Sequence, residues 1–115
     1  MKKLKNRDID MEIATELFGY TLFSSIDKYW IELPGEQRAE PLPRYTTKWS
    51  DTVKVITRMK QLGYGYSFIC LSKYRPMPYV RFFNDDTNAR VNLKSIKNLP
   101  RAVCKAALKI VRWDE

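Results

Sequence analysis

Histidine is absent from this 115-residue sequence, and cysteine occurs only twice. Without histidine, the chain lacks the usual general base at neutral pH and the commonest zinc ligand. Cys70 and Cys104 are too few for a disulfide framework, and their spacing is not that of metal ligands. Each lies in an apolar run, so we expect two buried, reduced thiols. These absences argue against catalysis and against a bound cofactor.

Enzyme motifs are missing as well. There is no glycine-rich phosphate loop and no nucleophile elbow in the sequence. Asp85 and Asp86 form a carboxylate pair of the kind that can hold Mg²⁺ or Ca²⁺. Their neighbours give them the composition of a turn between two strands, which is the preferred interpretation. The sequence therefore predicts a protein that is not an enzyme, with no catalytic residue and no metal site.

Long apolar runs are also missing, since none approaches the ~18 residues that span a bilayer. The basic start lacks the apolar stretch that follows it in a signal peptide. A chain of 115 residues has room for one hydrophobic core. We expect a basic tail over residues 1–6, a single domain over residues 7–115, no membrane contact and a cytoplasmic location.

Positive charge is present in excess and is unevenly distributed. Residues 1–57 contain nine Lys/Arg and nine Asp/Glu, whereas residues 58–115 contain twelve and four, so the second half carries the whole net charge of +8. This asymmetry indicates a basic side that could meet a polyanion or an acidic protein surface. The alternative interpretation is charge that serves solubility alone.

Two terminal segments have the periodicity of amphipathic helices. The first, RDIDMEIATELFG, carries acidic residues near its start and ends at Gly19. Its carboxylates Glu12 and Glu16 are expected in solvent. The last, LPRAVCKAALKIVRW, has one apolar face. Its opposite face carries a row of four cations, Arg101, Lys105, Lys109 and Arg112. That row is either a solvated face or a binding stripe.

A third helix is predicted in the middle of the chain. Thr46 or Thr47 is expected to be its N-cap. Its buried face is expected to carry the residues that recur at helical spacing, Trp49, Val53, Ile56 and Met59 or Lys60, widened by Val55 and Leu62.

Strands are predicted between and after these helices. KYWIELPGE reads as a short strand and turn, followed by a proline-stiffened loop to Pro43. YSFICLSKY, YVRFF and ARVNL read as an antiparallel meander of three strands. The predicted fold is α/β, an α/β/α sandwich in the order α-β-α-β-β-β-α. Its small antiparallel sheet of three to four strands is covered by helices.

These segments, in this order, resemble a known family of small phage proteins. The matching stretches are RDIDMEIATELFGY, YWIELPGE, PRYTTKWSDTVKVITRMKQLGY and LPRAVCKAALKIV, which together span residues 7–111. The chain is similar in them to the phage ABA sandwich domain family. Lys48 departs from the family pattern, which has an acidic residue there. The strand region YSFICLSKYRPMPYVRFFNDDTN is similar to the family only in the kinds of residues it contains, so no site residue can be carried over there.

The stretch PLPRYTT leads into the middle helix, and it has two interpretations. In the structural one, Pro43 sets the approach of the chain, Tyr45 packs against the first strand and Thr46 caps the helix. In the functional one, Arg44 and Tyr45 join Trp30 to form a rigid ligand lip.

The strand hairpin that follows is the most suggestive stretch for binding. Cations alternate there with aromatic residues, a mixture used where bases stack and phosphates are held. The candidate binding residues of the hairpin are Lys73, Tyr74, Arg75, Tyr79 and Arg81. Val80 and Phe82 should face opposite to Arg81 and Phe83, so one set must be core. Ordinary core and rim packing is the alternative interpretation.

The resemblance implies a phage or prophage protein that acts in a bacterial cytoplasm. Small phage proteins of this type are mostly accessory proteins, and some of similar size counter host defences by binding. The preferred hypothesis is a non-enzymatic binding module whose basic half meets nucleic acid, a nucleotide or an acidic host protein. The alternative is a protein-docking or self-assembling phage component, which leaves oligomer formation open.

Overall fold

The structure, a computed structural model, describes residues 5–26, 28–33, 35, 39–69 and 78–113. Within these ranges the elements follow in the order α1-β1-β2-β3-α2-β4-β5-β6-α3. The helices are α1 Asn6–Glu12 with a π-helical continuation Ile13–Leu17, α2 Trp49–Gln61, and α3 Leu99–Trp113 after a 3-10 turn Ile96–Asn98. The strands are β1 Thr21–Ser25, β2 Lys28–Glu32, β3 Ala39–Pro41, β4 Gly65–Ile69, β5 Tyr79–Phe83 and β6 Asn88–Asn92.

The first helical unit forms where the 3–4 spacing of apolar residues predicts it. Ile9, Ile13 and Leu17 are all buried in the core. The chain leaves the helix at Gly19, whose φ of +71° suits a residue without a Cβ atom. Glu16 is exposed as predicted and Glu12 is half-buried. The prediction missed their partner, because both carboxylates bind the guanidinium of Arg112 on α3.

Helix α2 begins later than the sequence predicts. It starts at Trp49, and its N-cap position is Lys48, which makes no side-chain capping hydrogen bond. The prediction of a threonine cap is therefore wrong. Thr46 is buried, and its hydroxyl donates to Asp10 Oδ1 at 2.9 Å, while Thr47 is exposed. The Thr46 hydroxyl is bound by Asp10 on α1 and is therefore not available to cap α2.

The buried face of α2 is only partly the predicted one. Trp49 and Val53 are 49% and 41% exposed, whereas Thr52 and Val55 are completely buried. Thr52 can be buried because its hydroxyl donates to the Tyr45 carbonyl oxygen at 2.7 Å. Val55, Ile56 and Met59 are buried as predicted, whereas Leu62 is 45% exposed.

Strands β4, β5 and β6 form an antiparallel sheet in that spatial order, which confirms the predicted meander. Its inner face buries Phe82 and Val80 of β5 together with Ala89 of β6. Helix α3 packs against β5 and β6, and α2 packs against β4. The outer face consists of three cross-strand rows, Gly65–Phe83–Asn88, Ser67–Arg81–Arg90 and Ile69–Tyr79–Asn92.

Strands β1, β2 and β3 form a second antiparallel sheet. The sequence predicts β2 alone in this region and treats the approach to Pro43 as a loop, so β1 and β3 correct that expectation. Ile31 of β2 is 1% exposed and joins the core with the half-buried Leu22 of β1. Most other residues of this sheet are exposed. Strands with so little buried surface leave a weak alternation in the sequence.

The helices and sheets share one hydrophobic core. Helix α3 lies at its centre and contacts α1, α2 and the β4–β6 sheet. Its apolar face is buried as predicted, at Val103, Ala106, Ala107 and Ile110. The predicted α/β class, with helices packed against small antiparallel sheets, is confirmed.

Candidate functional site

The predicted binding residues fall into different parts of the molecule. Lys73, Tyr74 and Arg75 lie outside the residues that the structure describes. Tyr79 and Arg81 lie on β5, and their register places both on the outer face of the β4–β6 sheet. The outer face of this sheet is therefore where the predicted hairpin site can be examined.

Arg81 has a second arginine directly opposite it. The antiparallel register of β5 and β6 pairs Arg81 with Arg90. Directly opposed side chains in such a ladder have Cβ atoms about 4.5–5.5 Å apart, and like charges at that spacing are destabilising. We call Arg81 and Arg90 the arginine pair. The pair places two positive charges on one sheet face, with the Arg81 guanidinium toward Phe83 and the Arg90 guanidinium toward Tyr79 on the other side of the row.

Each guanidinium of the arginine pair is stacked on an aromatic ring. The Arg81 Cζ atom lies 4.6 Å from the ring centroid of Phe83, and the Arg90 Cζ atom lies 3.9 Å from that of Tyr79. The Phe83 ring in turn lies over Gly65, where an added Cβ would come within 2.8 Å of Phe83 Cζ. Stacking fixes the planes of the guanidinium groups and leaves their edges as hydrogen-bond donors.

Carboxylates do not neutralise the arginine pair in the described part of the chain, where the ion pairs lie elsewhere. Arg81 Nε is buried and has no hydrogen-bond partner among the described residues. Arg90 Nε donates to Asn92 Oδ1 at 3.3 Å. The pair therefore combines a positive charge with donors that are not used by acidic side chains.

The cationic row of α3 approaches the same strand. Lys109 Nζ donates to the backbone carbonyl oxygen of Arg90 at 3.2 Å, so helix and strand share one basic surface. The Asn92 and Lys94 side chains line a cavity with Arg101 and Lys105 of α3. Two basic features that are separate in the sequence thus meet along β6.

Arg112 does not belong to this basic surface. Its Nη2 atom lies 2.6 Å from Glu12 Oε1, and its Nε atom lies 3.0 Å from Glu16 Oε2. The predicted row of four cations is therefore divided between a structural ion pair and a basic surface. The arginine at the C-terminal end of α3 ties that helix to the first one.

The entrance to α2 is part of the scaffold. Tyr45 is 1% exposed, and its ring stacks on Phe18 with centroids 5.4 Å apart. Burial also raises the pKa of the Tyr45 hydroxyl far above its ordinary value. A buried ring cannot form a ligand lip, so this part of the functional interpretation is wrong. Arg44 uses its backbone N–H to bind Asp51 Oδ2 at 2.9 Å, and its side chain is exposed.

A buried carboxylate holds this entrance to α1. Asp10 is completely buried, and its Oδ1 atom accepts hydrogen bonds from the backbone N–H and the hydroxyl of Thr46, both at 2.9 Å. Its Oδ2 atom accepts from Arg7 Nη1 at 2.9 Å. Arg7 also donates to the carbonyl oxygens of Leu42 and Pro43. The proline-rich stretch is thereby fixed to the first helix.

Trp30 lies in the other sheet, away from the Tyr45 ring contacts. Its cross-strand partners are Phe23 on β1 and Pro41 on β3, which form an apolar row on the solvent side. Phe23 is 39% exposed, and Trp30 Nε1 donates to the Ser25 carbonyl oxygen at 3.2 Å. We call Phe23, Trp30 and Pro41 the aromatic row, after its two aromatic rings. It is an apolar patch formed by the half of the sequence that carries no net charge.

Two further predictions concern Cys104 and the acidic turn. Cys104 is a buried free thiol, and burial raises its pKa well above its ordinary value, so it has the inert character expected of it. Cys70 lies outside the described residues.

In the turn after β5, Asn84 Oδ1 accepts from the backbone N–H groups of Asp86 and Thr87. The stretch is therefore an Asx-type turn, as its composition predicts.

Arg90 is the site residue that the sequence interpretation missed. The alternation in ARVNL places it opposite the apolar face of its strand, but only the register of β5 and β6 shows that it meets Arg81.

Helices in the described ranges do not combine the length and the apolar character needed to cross a membrane.

Comparisons with known proteins agree with the fold. No protein-family model matches the sequence, and no curated protein matches it significantly. A solved structure of a phage protein from Bacillus cereus superimposes with a TM-score of 0.68. The two sequences are 24% identical, and the match covers 94% of this chain and 93% of that one. Over nearly its whole length, the chain therefore has the fold of that phage protein.

Proposed function

We propose that this protein is a non-enzymatic phage or prophage accessory protein that binds an anionic partner through its basic second half. The arginine pair supports the proposal most directly. The pair places two positive charges in opposed positions of one sheet face, and no described carboxylate is paired with them. An anionic partner bound over this face offsets the charge and supplies acceptors for the guanidinium donors.

The chemistry of the pair suits an oxyanion. A guanidinium presents donors in a planar fork that matches phosphate or carboxylate oxygens. Because Phe83 and Tyr79 hold the two planes, less side-chain freedom is lost when the ligand binds. Nucleic acid, a nucleotide and an acidic face of a host protein all offer such oxygens. Nucleic acid is the partner that also uses the exposed faces of stacked guanidinium groups.

The biological setting proposed here rests on two similarities. One is the shared fold with the phage protein from Bacillus cereus. The other is the sequence similarity to the phage ABA sandwich domain family, whose membership we propose for this chain. Both support a role in a bacterial cytoplasm, and countering a host defence by binding is one form of it. The non-enzymatic assignment is supported by the histidine-free sequence without enzyme motifs.

The proposal is tested by measuring affinity for two anions at several salt concentrations. The probes are a fluorescent thymidine octamer and a fluorescent polyglutamate peptide. Arg81→Gln/Arg90→Gln should lose about tenfold or more in affinity and flatten the salt dependence, because phosphate contacts release counterions. Lys28→Gln/Lys60→Gln removes the same charge from β2 and α2 and should lose less than about threefold. The variant Lys73→Ala/Arg75→Ala, which removes two other predicted cations of the hairpin sequence, should also weaken binding in the same assay.

Equal losses from the arginine variant and its control would show nonspecific attraction by net charge and would overturn the proposal. The absence of binding to either anion at low salt would also overturn it. A second candidate function would then lead, docking to a protein of a phage complex or to another copy. The exposed aromatic row on the β1–β3 sheet favours that function. Apolar docking would depend little on salt.

A further inference from the structure

The cavity between β6 and α3 has the character of an anion subsite. It has a volume of about 160 Å³, which is room for about five water molecules. Three cations line it, Lys94, which lies two residues after β6, and Arg101 and Lys105 from α3. A phosphate group fits such a volume, and amide groups of Asn92 and Asn98 add neutral hydrogen-bonding partners.

The cavity continues directly from the arginine pair. Asn92 lines the cavity, and its Oδ1 atom accepts the hydrogen bond from Arg90 Nε. Lys109 Nζ donates a hydrogen bond to the backbone carbonyl oxygen of the same Arg90. The four residue steps from Arg90 to Lys94 span at most about 13 Å at ~3.3 Å per residue. The basic surface is therefore a track along β6 with two clusters of donors.

A track of this length selects a linear anion. One phosphate group cannot occupy both clusters, whereas a nucleic-acid strand carries a charge every ~3.4 Å along its axis when stacked. About four nucleotides therefore span the distance from the arginine pair to the cavity. A duplex keeps its bases inside, but a single strand can stack its bases on guanidinium planes.

We propose that the cavity lined by Lys94, Arg101 and Lys105 is a phosphate subsite, and that it and the arginine pair form one track for single-stranded nucleic acid. This inference rests on the proposed function, because it names the anion and extends the site of the arginine pair. The two proposals differ in the role of the cavity. Single-stranded nucleic acid has to occupy the cavity, whereas a single nucleotide or an acidic peptide can bind at the arginine pair without it.

The test compares thymidine oligomers of two and eight nucleotides with a duplex of eight base pairs, by fluorescence anisotropy at several salt concentrations. The parent protein should bind the octamer more tightly than the dimer by at least about tenfold, and more tightly than the duplex. In Lys94→Gln/Lys105→Gln, octamer affinity should fall about tenfold. The salt slope should fall by about 1.4 units for two lost contacts to a single strand.

Dimer affinity should change by less than about twofold in this variant, since the dimer can occupy the arginine pair alone. Both substituted side chains are exposed, and a thermal unfolding midpoint that stays above the assay temperature serves as the control for folding. An octamer affinity equal to that of the parent would overturn the subsite, as would equal or tighter binding of the duplex. If Arg81→Gln/Arg90→Gln still weakened binding in either case, the proposed function would survive. Failure of both variants to weaken octamer binding would overturn the two together.

Discussion

At the scale of single residues, Asp10 explains why the chain has a proline-rich basic-aromatic entrance to α2. Its buried carboxylate binds Arg7 and both donors of Thr46. A buried charge is tolerated when several hydrogen bonds satisfy it. Removing one hydrogen-bond partner leaves the desolvation cost of the carboxylate uncompensated. The prolines restrict the approach of the chain, and the carboxylate fixes its end.

Thr46→Ala should lower the free energy of unfolding by about 1.5–3 kcal/mol, because it removes a charge-assisted hydrogen bond inside the core. Thr47→Ala is the matched control, since Thr47 is exposed, and should change stability by less than about 0.5 kcal/mol. Urea unfolding of both variants makes the comparison. A larger loss from Thr47→Ala would mean that the threonine next to the helix acts as a cap after all.

Two buried groups predict that stability falls in alkaline solution. Burial raises the pKa of Cys104 and of Tyr45, so both remain protonated in the folded protein. In the unfolded chain they ionise near pH 8.5 and 10. Above those values the unfolded state binds fewer protons, and stability decreases by up to about 1.4 kcal/mol per pH unit for each group.

Urea unfolding between pH 7 and 10 measures this loss. Cys104→Ala should be less stable at neutral pH because a buried side chain is shortened, but its stability should fall less steeply between pH 8.5 and 10. An alkaline slope identical to that of the parent protein would show that Cys104 ionises as readily in the folded state as in the unfolded one.

At the scale of elements, the sequence predicts what is buried and periodic and fails where a partner is remote. The three helices and the β4–β6 meander have strong periods, and all are found. Strand β3 has three residues, of which two are exposed, so no pattern marks it. The start of α2 is displaced because Thr46 binds Asp10, a residue 36 positions away. The arginine pair likewise depends on strand register, which the composition of YVRFF and ARVNL does not specify.

The β4 strand supports the arginine pair through a glycine. Gly65→Ala places a Cβ at 2.8 Å from Phe83 Cζ, a distance that requires the ring to move. Because Arg81 stacks on that ring, we expect octamer affinity to fall about threefold and stability to fall by about 1 kcal/mol. Ser67→Ala, two residues along the same face of β4, should leave both unchanged. Unchanged affinity in Gly65→Ala would mean that the Phe83 ring does not position the arginine.

At the scale of the whole molecule, the net charge of +8 resolves into regions with different roles. Arg7 and Arg112 are held by acidic side chains and stabilise the packing of α1. Arg81 and Arg90 are not paired with a carboxylate among the described residues. Charge that served only solubility would be spread over the surface. Its concentration along β6 and α3 is what a binding surface for a polyanion requires.

The central claim is that this concentrated charge is a ligand site and not a solvated surface. The most direct measurement is NMR of the arginine Nε–H and tryptophan Nε1–H groups during titration with the thymidine octamer. The account predicts that the signals of Arg81 and Arg90 shift first and saturate together, while that of Arg112, held by Glu12 and Glu16, stays in place. Shifts of similar size at all three arginines, or shifts confined to Trp30 of the aromatic row, would contradict it.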